Sequence, residues 1–314
     1  VGTNALQDNT TGSHNIAIGE NCLADNTTAS NNVAIGMDAL RENTTGTENT
    51  ACGTSALFKN TASNNTAFGY APLYENTSGA NNTALGHSAL QKNTTGSGNV
   101  AVGASALTTK TTGGSNTAIG TDALGVATTS SNNTAVGAQA GSVTTTGSNN
   151  LFLGHDAGTS NAPNGNHTTH SNRIVLGDNS ITNAHIKVDW TVTSDERDKA
   201  DINDFVKGLD IINSLRPVTY KWDMRTDYSN DLSVTPDGSK KSDKTEIGLI
   251  AQEVEIVEKA NGYGLSENDS LFIDKSIDEK HYGLRYSRLI PVLVNAIKEL
   301  SVKNTALETR VATL

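Results

Sequence analysis

The first half of the chain repeats its apolar positions on a fixed period. The motif Asn-x-Ala-x-Gly places glycines at Gly19, Gly36, Gly53, Gly69, Gly86, Gly103, Gly120, Gly137 and Gly154. Their spacing is 17 residues, with one step of 16 from Gly53 to Gly69, and Gly2 fits the same frame. The missing residue falls between Asn60 and Asn65, in a polar segment where a turn tolerates deletion. A period this short predicts a solenoid with one coil per repeat.

Each column has a physical reading. Four residues before each glycine stands an asparagine, from Asn15 and Asn32 through Asn133 and Asn150. Stacked asparagines at a coil corner hydrogen-bond from one coil to the next. Alanine stands two residues before the glycine from Ala17 to Ala135, and a larger apolar residue usually stands just before it, as in Ile18, Ile35, Phe68, Leu85, Val102, Ile119, Val136 and Leu153. Adjacent strand residues face opposite sides, so one face is small and the other large, yet both are apolar. A lone solenoid has one interior. The second apolar face predicts cover by further chains, because soluble monomers rarely expose a long hydrophobic stripe. Behind the glycine comes a second apolar pair such as Ala39-Leu40 or Ala89-Leu90. A polar turn such as Asn43-Thr44-Thr45-Gly46 follows, in which glycine is expected to supply a positive φ.

Composition sharpens this picture. Only 35% of the 314 residues are hydrophobic and 4% aromatic, too few for an ordinary globular core but enough for stacked coils that bury small residues. Disorder is the competing reading of so polar a chain, and the strict repeat argues against it. Residues 1–160 carry 4 basic and 9 acidic side chains and residues 194–314 carry 17 and 22, so each part has a net charge of −5. No basic stripe predicts a nucleic-acid partner. No stretch is apolar for long enough to predict membrane insertion, and no segment reads as a signal peptide. Val1-Gly2 reads as the middle of a repeat, which implies a longer parent protein. Cys22 and Cys52 occupy positions that other repeats fill with small or apolar residues, and are expected to be buried free thiols.

The array degrades after Gly154. Residues 155–172 read as a loop containing His155, His167 and His170, and Arg173–Gly177 as a last coil. The pair His167 and His170 could meet a metal on a threefold axis, but no acidic or cysteine ligand stands at a metal-like spacing. They are read as solvated loop histidines, with no metal and no cofactor expected. Residues 186–192 read as a strand.

The segment Thr193-Ser194-Asp195-Glu196-Arg197-Asp198-Lys199 carries the candidate chemistry. By itself, a serine five residues before a lysine is also a capped helix start, with Ser194 as N-cap and acidic residues in the first turn. It resembles, however, the S-D-x-R-x-K signature that opens the Peptidase_S74 family, the intramolecular chaperone domain of phage tail spikes and fibres. Three further stretches fit in order: Leu215–Trp222, Ile247–Val254 and Tyr286–Leu293. The resemblance covers about residues 190–314. It implies self-cleavage between Thr193 and Ser194, with Ser194 as nucleophile and Lys199 as base. A serine hydroxyl needs a base to take its proton, and a lysine serves where its environment disfavours the ammonium. Asp195 and Arg197 fit structural support, and the lack of a histidine in the signature favours a Ser-Lys dyad over a triad. Cleavage happens once per chain, so no turnover of a separate substrate is expected.

The shaft motif also resembles the β-roll head repeats of trimeric autotransporter adhesins over roughly residues 1–160. The repeat is longer here, so the likeness implies only stacked coils and three chains. At the C-terminus, Leu293, Ile297, Leu300, Asn304, Leu307, Val311 and Leu314 alternate by four and three. That is a heptad seam with one polar position. It predicts either a parallel trimeric coiled coil or an amphipathic helix packed on its own domain.

The expected architecture is a mainly β repeat solenoid of 17-residue coils over residues 1–160, then a connecting loop, last coil and strand over 161–193. A small α+β chaperone domain follows over 194–314, ending in a coiled-coil helix from about 289. The implied protein is a homotrimeric tail-fibre or appendage component of a virion, folded in the host cytoplasm. Its further expected partners are other tail proteins and a host-surface glycan or receptor. Two alternatives are a glycan-degrading tail spike, for which Asp25 and Glu42 on adjacent coils are the closest approach to a carboxylate pair, and a host-surface adhesin that binds through the shaft. Ice binding is disfavoured, because the Thr-Thr pairs sit in turns rather than on strands.

Overall fold

The computed structural model describes residues 1–162, 165–187, 190–229, 233–266, 269–275 and 281–314. The chain divides into two compact units, Val1–Asn183 and Ala184–Leu314.

The first unit is the predicted solenoid. Ten three-residue strands run from β1 (Ile16–Ile18) and β2 (Val33–Ile35) to β9 (Leu151–Leu153) and β10 (Ile174–Leu176). They form one parallel sheet in sequence order, one strand per coil. Alanine pairs with alanine across the sheet, as in Ala34↔Ala51 and Ala84↔Ala101. The 16-residue step keeps that register, Ala51↔Ala67. It is absorbed where expected: Asn43 donates to the carbonyl of Gly46 three residues on, while Asn60 reaches Ala62 after two.

The alanine column and a leucine column (Leu23, Leu40, Leu57, Leu73, Leu90, Leu107, Leu124) fill the interior and are almost fully buried. Small residues suit it because each coil is narrow, and burial comes from repetition rather than from large side chains. The predicted asparagine ladder is present. The backbone N–H of Asn49 donates to Oδ1 of Asn32 at 3.0 Å, that of Asn82 to Asn65 at 2.9 Å, and the series closes with Arg173 on Asn150 at 3.0 Å. Cys22 and Cys52 are free, Cys22 buried and Cys52 partly so. Burial pushes the Cys22 thiol up.

Two details differ from expectation. Gly46 does not have a positive φ. It is needed because a Cβ there would lie 2.2 Å from the carbonyl oxygen of Ala62 and 2.5 Å from Oδ1 of Asn43. The left-handed conformations fall elsewhere. Gly86 has φ 138° with the next coil's Gly103 oxygen 2.6 Å from where a Cβ would stand, and Asp38 and Leu40 turn the chain at φ 58° and 51°. Second, a further asparagine ladder, in which Asn76 donates to Asn60 and Asn93 to Asn76, each at 2.6 Å, ends at Lys110. Lys110 is fully buried and its Nζ donates to the carbonyl of Ser130. Desolvation lowers its pKa to about 8.

The second unit is α+β. α1 (Leu209–Ser214), α2 (Ala251–Ala260) and the long α3 (Leu289–Ala312) accompany two antiparallel pairs, β11 (Val218–Tyr220) with β12 (Glu246–Gly248) and β13 (Ile273–Lys275) with β14 (Tyr282–Leu284). Ile211, Val254, Phe272, Ile273, Leu289 and Val292 form the core. The buried Glu258 carboxylate accepts from the backbone N–H groups of Leu271 and Phe272 and from the Ser270 hydroxyl, which satisfies it where it sits. The described residues of 186–192 form no strand. Ile186, Trp190 and Val192 are exposed; residues 188 and 189 of the expected strand lie outside the described residues.

Candidate cleavage site and the surfaces around it

Asp195 caps a single 3-10 turn over Glu196–Asp198, its carboxylate accepting from the backbone N–H of Arg197 at 2.9 Å. The Arg197 guanidinium folds back on the same carboxylate at 3.0 Å and 2.6 Å. That contact holds the Asp195 carboxyl below its ordinary range. The cap is therefore Asp195 rather than Ser194. The turn closes the five-residue gap between Ser194 and Lys199, so that Nζ of Lys199 lies 2.7 Å from Oγ of Ser194. Thr193, Ser194 and Lys199 are exposed in the single chain.

In the shaft, the sheet turns its large apolar column outward. Ile18, Ile35, Phe68, Leu85, Ile119, Val136, Leu153 and Leu176 are 37–50% exposed. The alanine face is thus the coil interior and the larger face the exterior. In α3, Leu289, Val292 and Ala296 are buried in the unit, whereas the seam residues Leu293, Ile297, Leu300, Leu307, Val311 and Leu314 are exposed.

The expectation of solvated loop histidines fails at His167. It is buried, 6.2 Å from the Phe152 ring and 5.1 Å from that of His170, centroid to centroid, and its carbonyl accepts from Thr144. Its place in the repeat explains this, since the described residues of 155–172 keep inward-facing positions of the solenoid, as at Ala157 and Ala162. Sequence reasoning also missed Lys110, and it missed the meeting of His155 and Asp156 with Asp178. Column alignment to Gly154 and Gly177 is the signal that would have found the latter.

A ten-strand solenoid followed by a small α+β unit that opens on a Ser-Lys pair defines the class. Residues 194–263 match the family Peptidase_S74, chaperone of endosialidase. Over those 70 residues the second unit is therefore similar to the chaperone domain of that family. The match includes the signature, Leu215–Trp222 and Ile247–Val254; the stretch Tyr286–Leu293 lies outside it. Comparison with curated proteins and with solved structures finds no significant match. Among the described residues no helix is long and apolar enough to cross a membrane.

Proposed function

We propose that residues 194–314 bring three chains together, align their solenoids, and then separate by cutting the Thr193–Ser194 bond. The observation that carries this reading is the outward apolar column running the length of the shaft. Each side chain is already about half buried in the single chain, so covering the rest contributes on the order of 1 kcal/mol; the column repeats along the shaft, so association of copies is favoured once they are in register. Register is the difficulty, because a repetitive surface also fits itself one coil out of step. A chaperone domain with its own specific contacts, joined to the last coil, removes that ambiguity. The exposed seam of α3, with Asn304 at its polar position, supports a parallel trimeric coiled coil as the aligning element.

The 2.7 Å contact between Ser194 and Lys199 supports the cleavage step. Oγ of Ser194 adds to the carbonyl carbon of Thr193 as its proton passes to Nζ of Lys199. The C–N bond then breaks, the Ser194 nitrogen takes up the proton, and an ester joins Thr193 to the Ser194 oxygen. Water hydrolyses the ester, leaving a Thr193 carboxylate and a free Ser194 amine and hydroxyl. Arg197 and Asp195 shape the turn that presents the pair. A lysine acts as base where its surroundings disfavour the ammonium, and the single chain leaves this pair exposed. Assembly is the step that would cover it, which ties cutting to completion of the trimer. Intact-mass analysis of freshly expressed protein beside its sedimentation tests both parts: trimer without fragments argues against the dyad, and fragments from monomer argue against the coupling.

The placement is that of a virion tail appendage folded in the host cell, with other tail proteins and a host-surface receptor or glycan as partners. Receptor binding by the shaft surface is the second role this reading leaves to the mature fibre.

A further inference from the structure

The step from Gly154 to Gly177 spans 23 residues instead of 17. Across it, β9 and β10 stay in register, Leu153↔Leu176. His155 and Asp178, each the residue after its glycine, therefore lie side by side on adjacent coils. Asp156, in the left-handed conformation at φ 54°, turns its carboxylate into the same place. Nδ1 of His155 is 3.2 Å from Oδ2 of Asp178 and 3.7 Å from Oδ2 of Asp156, and one donor atom from each residue lies within 4.8 Å of the other two. No other such group of three occurs among the described residues.

We propose that His155, Asp156 and Asp178 form a binding site for one divalent cation of the zinc class that clips the last coil of the shaft to the one before it. An ion pair alone accounts for less. One imidazolium offsets one of two carboxylates, and the Asp156 side chain is only 8% exposed. Its Oδ2 accepts from Asn161 at 2.9 Å, but its Oδ1 is sealed from solvent with no donor. Buried polar groups in native proteins are satisfied, and a cation held by this carboxylate, whose Oδ2 stands 3.7 Å from Nδ1 of His155, gives the half-satisfied group a further partner. Two carboxylates with a neutral imidazole carry the charge that a divalent ion matches.

The spacing fits as well. Zinc binds nitrogen and oxygen at 2.0–2.2 Å, which sets tetrahedral donor–donor edges at about 3.3–3.6 Å. The two observed edges bracket that range. A calcium ion takes six to eight oxygens, more than three residues including an imidazole supply. Three protein donors leave a fourth position for water, on the side where the His155 ring is 63% exposed. Asn161 holds the Asp156 carboxylate and Ser180 donates its backbone N–H to Asp178 at 3.0 Å, so both are positioned before any ion arrives.

The test uses the full chain, stripped with chelator and titrated with Zn2+ by calorimetry and by metal analysis, with Co2+ as a visible probe of tetrahedral coordination. One Zn2+ per chain is expected, with a rise in Tm on loading. Asp178→Asn and His155→Ala are each expected to lose the ion and the Tm rise while keeping the circular dichroism of the wild type. His185→Ala, at an exposed histidine outside the site, retains both, and Asn161→Ala weakens binding about 10–100-fold. The proposal is overturned if the wild type binds no Zn2+ at sub-millimolar concentration. It is equally overturned if stoichiometry survives in Asp178→Asn and His155→Ala, which would place the ion on other histidines, or if Ca2+ displaces Zn2+ at equal concentration.

Discussion

Nζ of Lys199 stands 2.7 Å from Oγ of Ser194, five residues away along the chain, because Asp195 caps the single turn between them. The expected consequence is that Ser194→Ala abolishes cleavage into fragments of 193 and 121 residues. Lys199→Met slows it by about 10²–10⁴-fold, the usual contribution of a positioned base. Intact-mass spectrometry over time after expression reads both. Undiminished cutting in Ser194→Ala would show that another group is the nucleophile.

The outward column makes a separate prediction. Ile35 and Leu85 are each 38% exposed in the single chain. Ile35→Asp with Leu85→Asp therefore costs the isolated coil only the packing of the covered part of each side chain, about 1 kcal/mol per site. In a trimer the same carboxylates would be desolvated without partners. Sedimentation is expected to show loss of the trimer with the solenoid's circular dichroism retained, and a trimer that survives both changes places the interface elsewhere.

Lys110 predicts a pH dependence. Its ammonium is buried where earlier coils carry an asparagine, and its folded pKa of about 8 lies below the ordinary 10.5. Below pH 8 it is charged in both folded and unfolded chains, and folding bears the full cost of burying the charge. Between about pH 8 and 10.5 the unfolded chain binds the extra proton, so the shaft gains stability as pH rises. The shift corresponds to about 3 kcal/mol. Lys110→Asn removes the charge and offers an Nδ2–H to Oδ1 of Asn93, which is buried without a partner. It should be more stable than wild type at pH 7, and the gap should close by about pH 10.5. Denaturant unfolding at the two pH values measures it; a gap independent of pH would mean that the ammonium is not the cause.

The residues that were legible are those whose physics repeats. Asn32, Gly86 and Ala84 could be read because nine coils impose the same constraint and chance does not. The turn glycines were found for the wrong reason: Gly46 answers the closeness of the next coil rather than a left-handed φ, and a one-dimensional pattern does not separate the two. Lys110 reads as an ordinary exposed lysine until its column is counted. His155 and Asp178 are 23 residues apart, and only the strand register of β9 and β10 makes them neighbours. None of the described residues of 186–192 is in a strand, since apolar alternation states a preference for burial without naming the partner. Ser194 and Lys199 were singled out through family resemblance, whereas the turn geometry that brings their side chains together was not legible.

The chaperone reading makes its strongest claim about a domain that the finished product no longer needs. Each coil of the shaft is held by its neighbours through the asparagine ladder and the alanine and leucine columns, and those contacts lie within Val1–Asn183. What the shaft lacks is a unique starting alignment, since every coil resembles the next and three chains can meet out of step. Residues 194–314 would lower that barrier without changing the final state. Residues 1–193 expressed alone should therefore give monomers or aggregates, while the same residues released by natural cleavage stay trimeric and resist heat. The two samples share one sequence, so a difference between them is kinetic. Size-exclusion chromatography and thermal melting compare them directly. If residues 1–193 alone reach the same stable trimer, assembly needs no helper, and the C-terminal unit must act at another step, such as contact with the receptor.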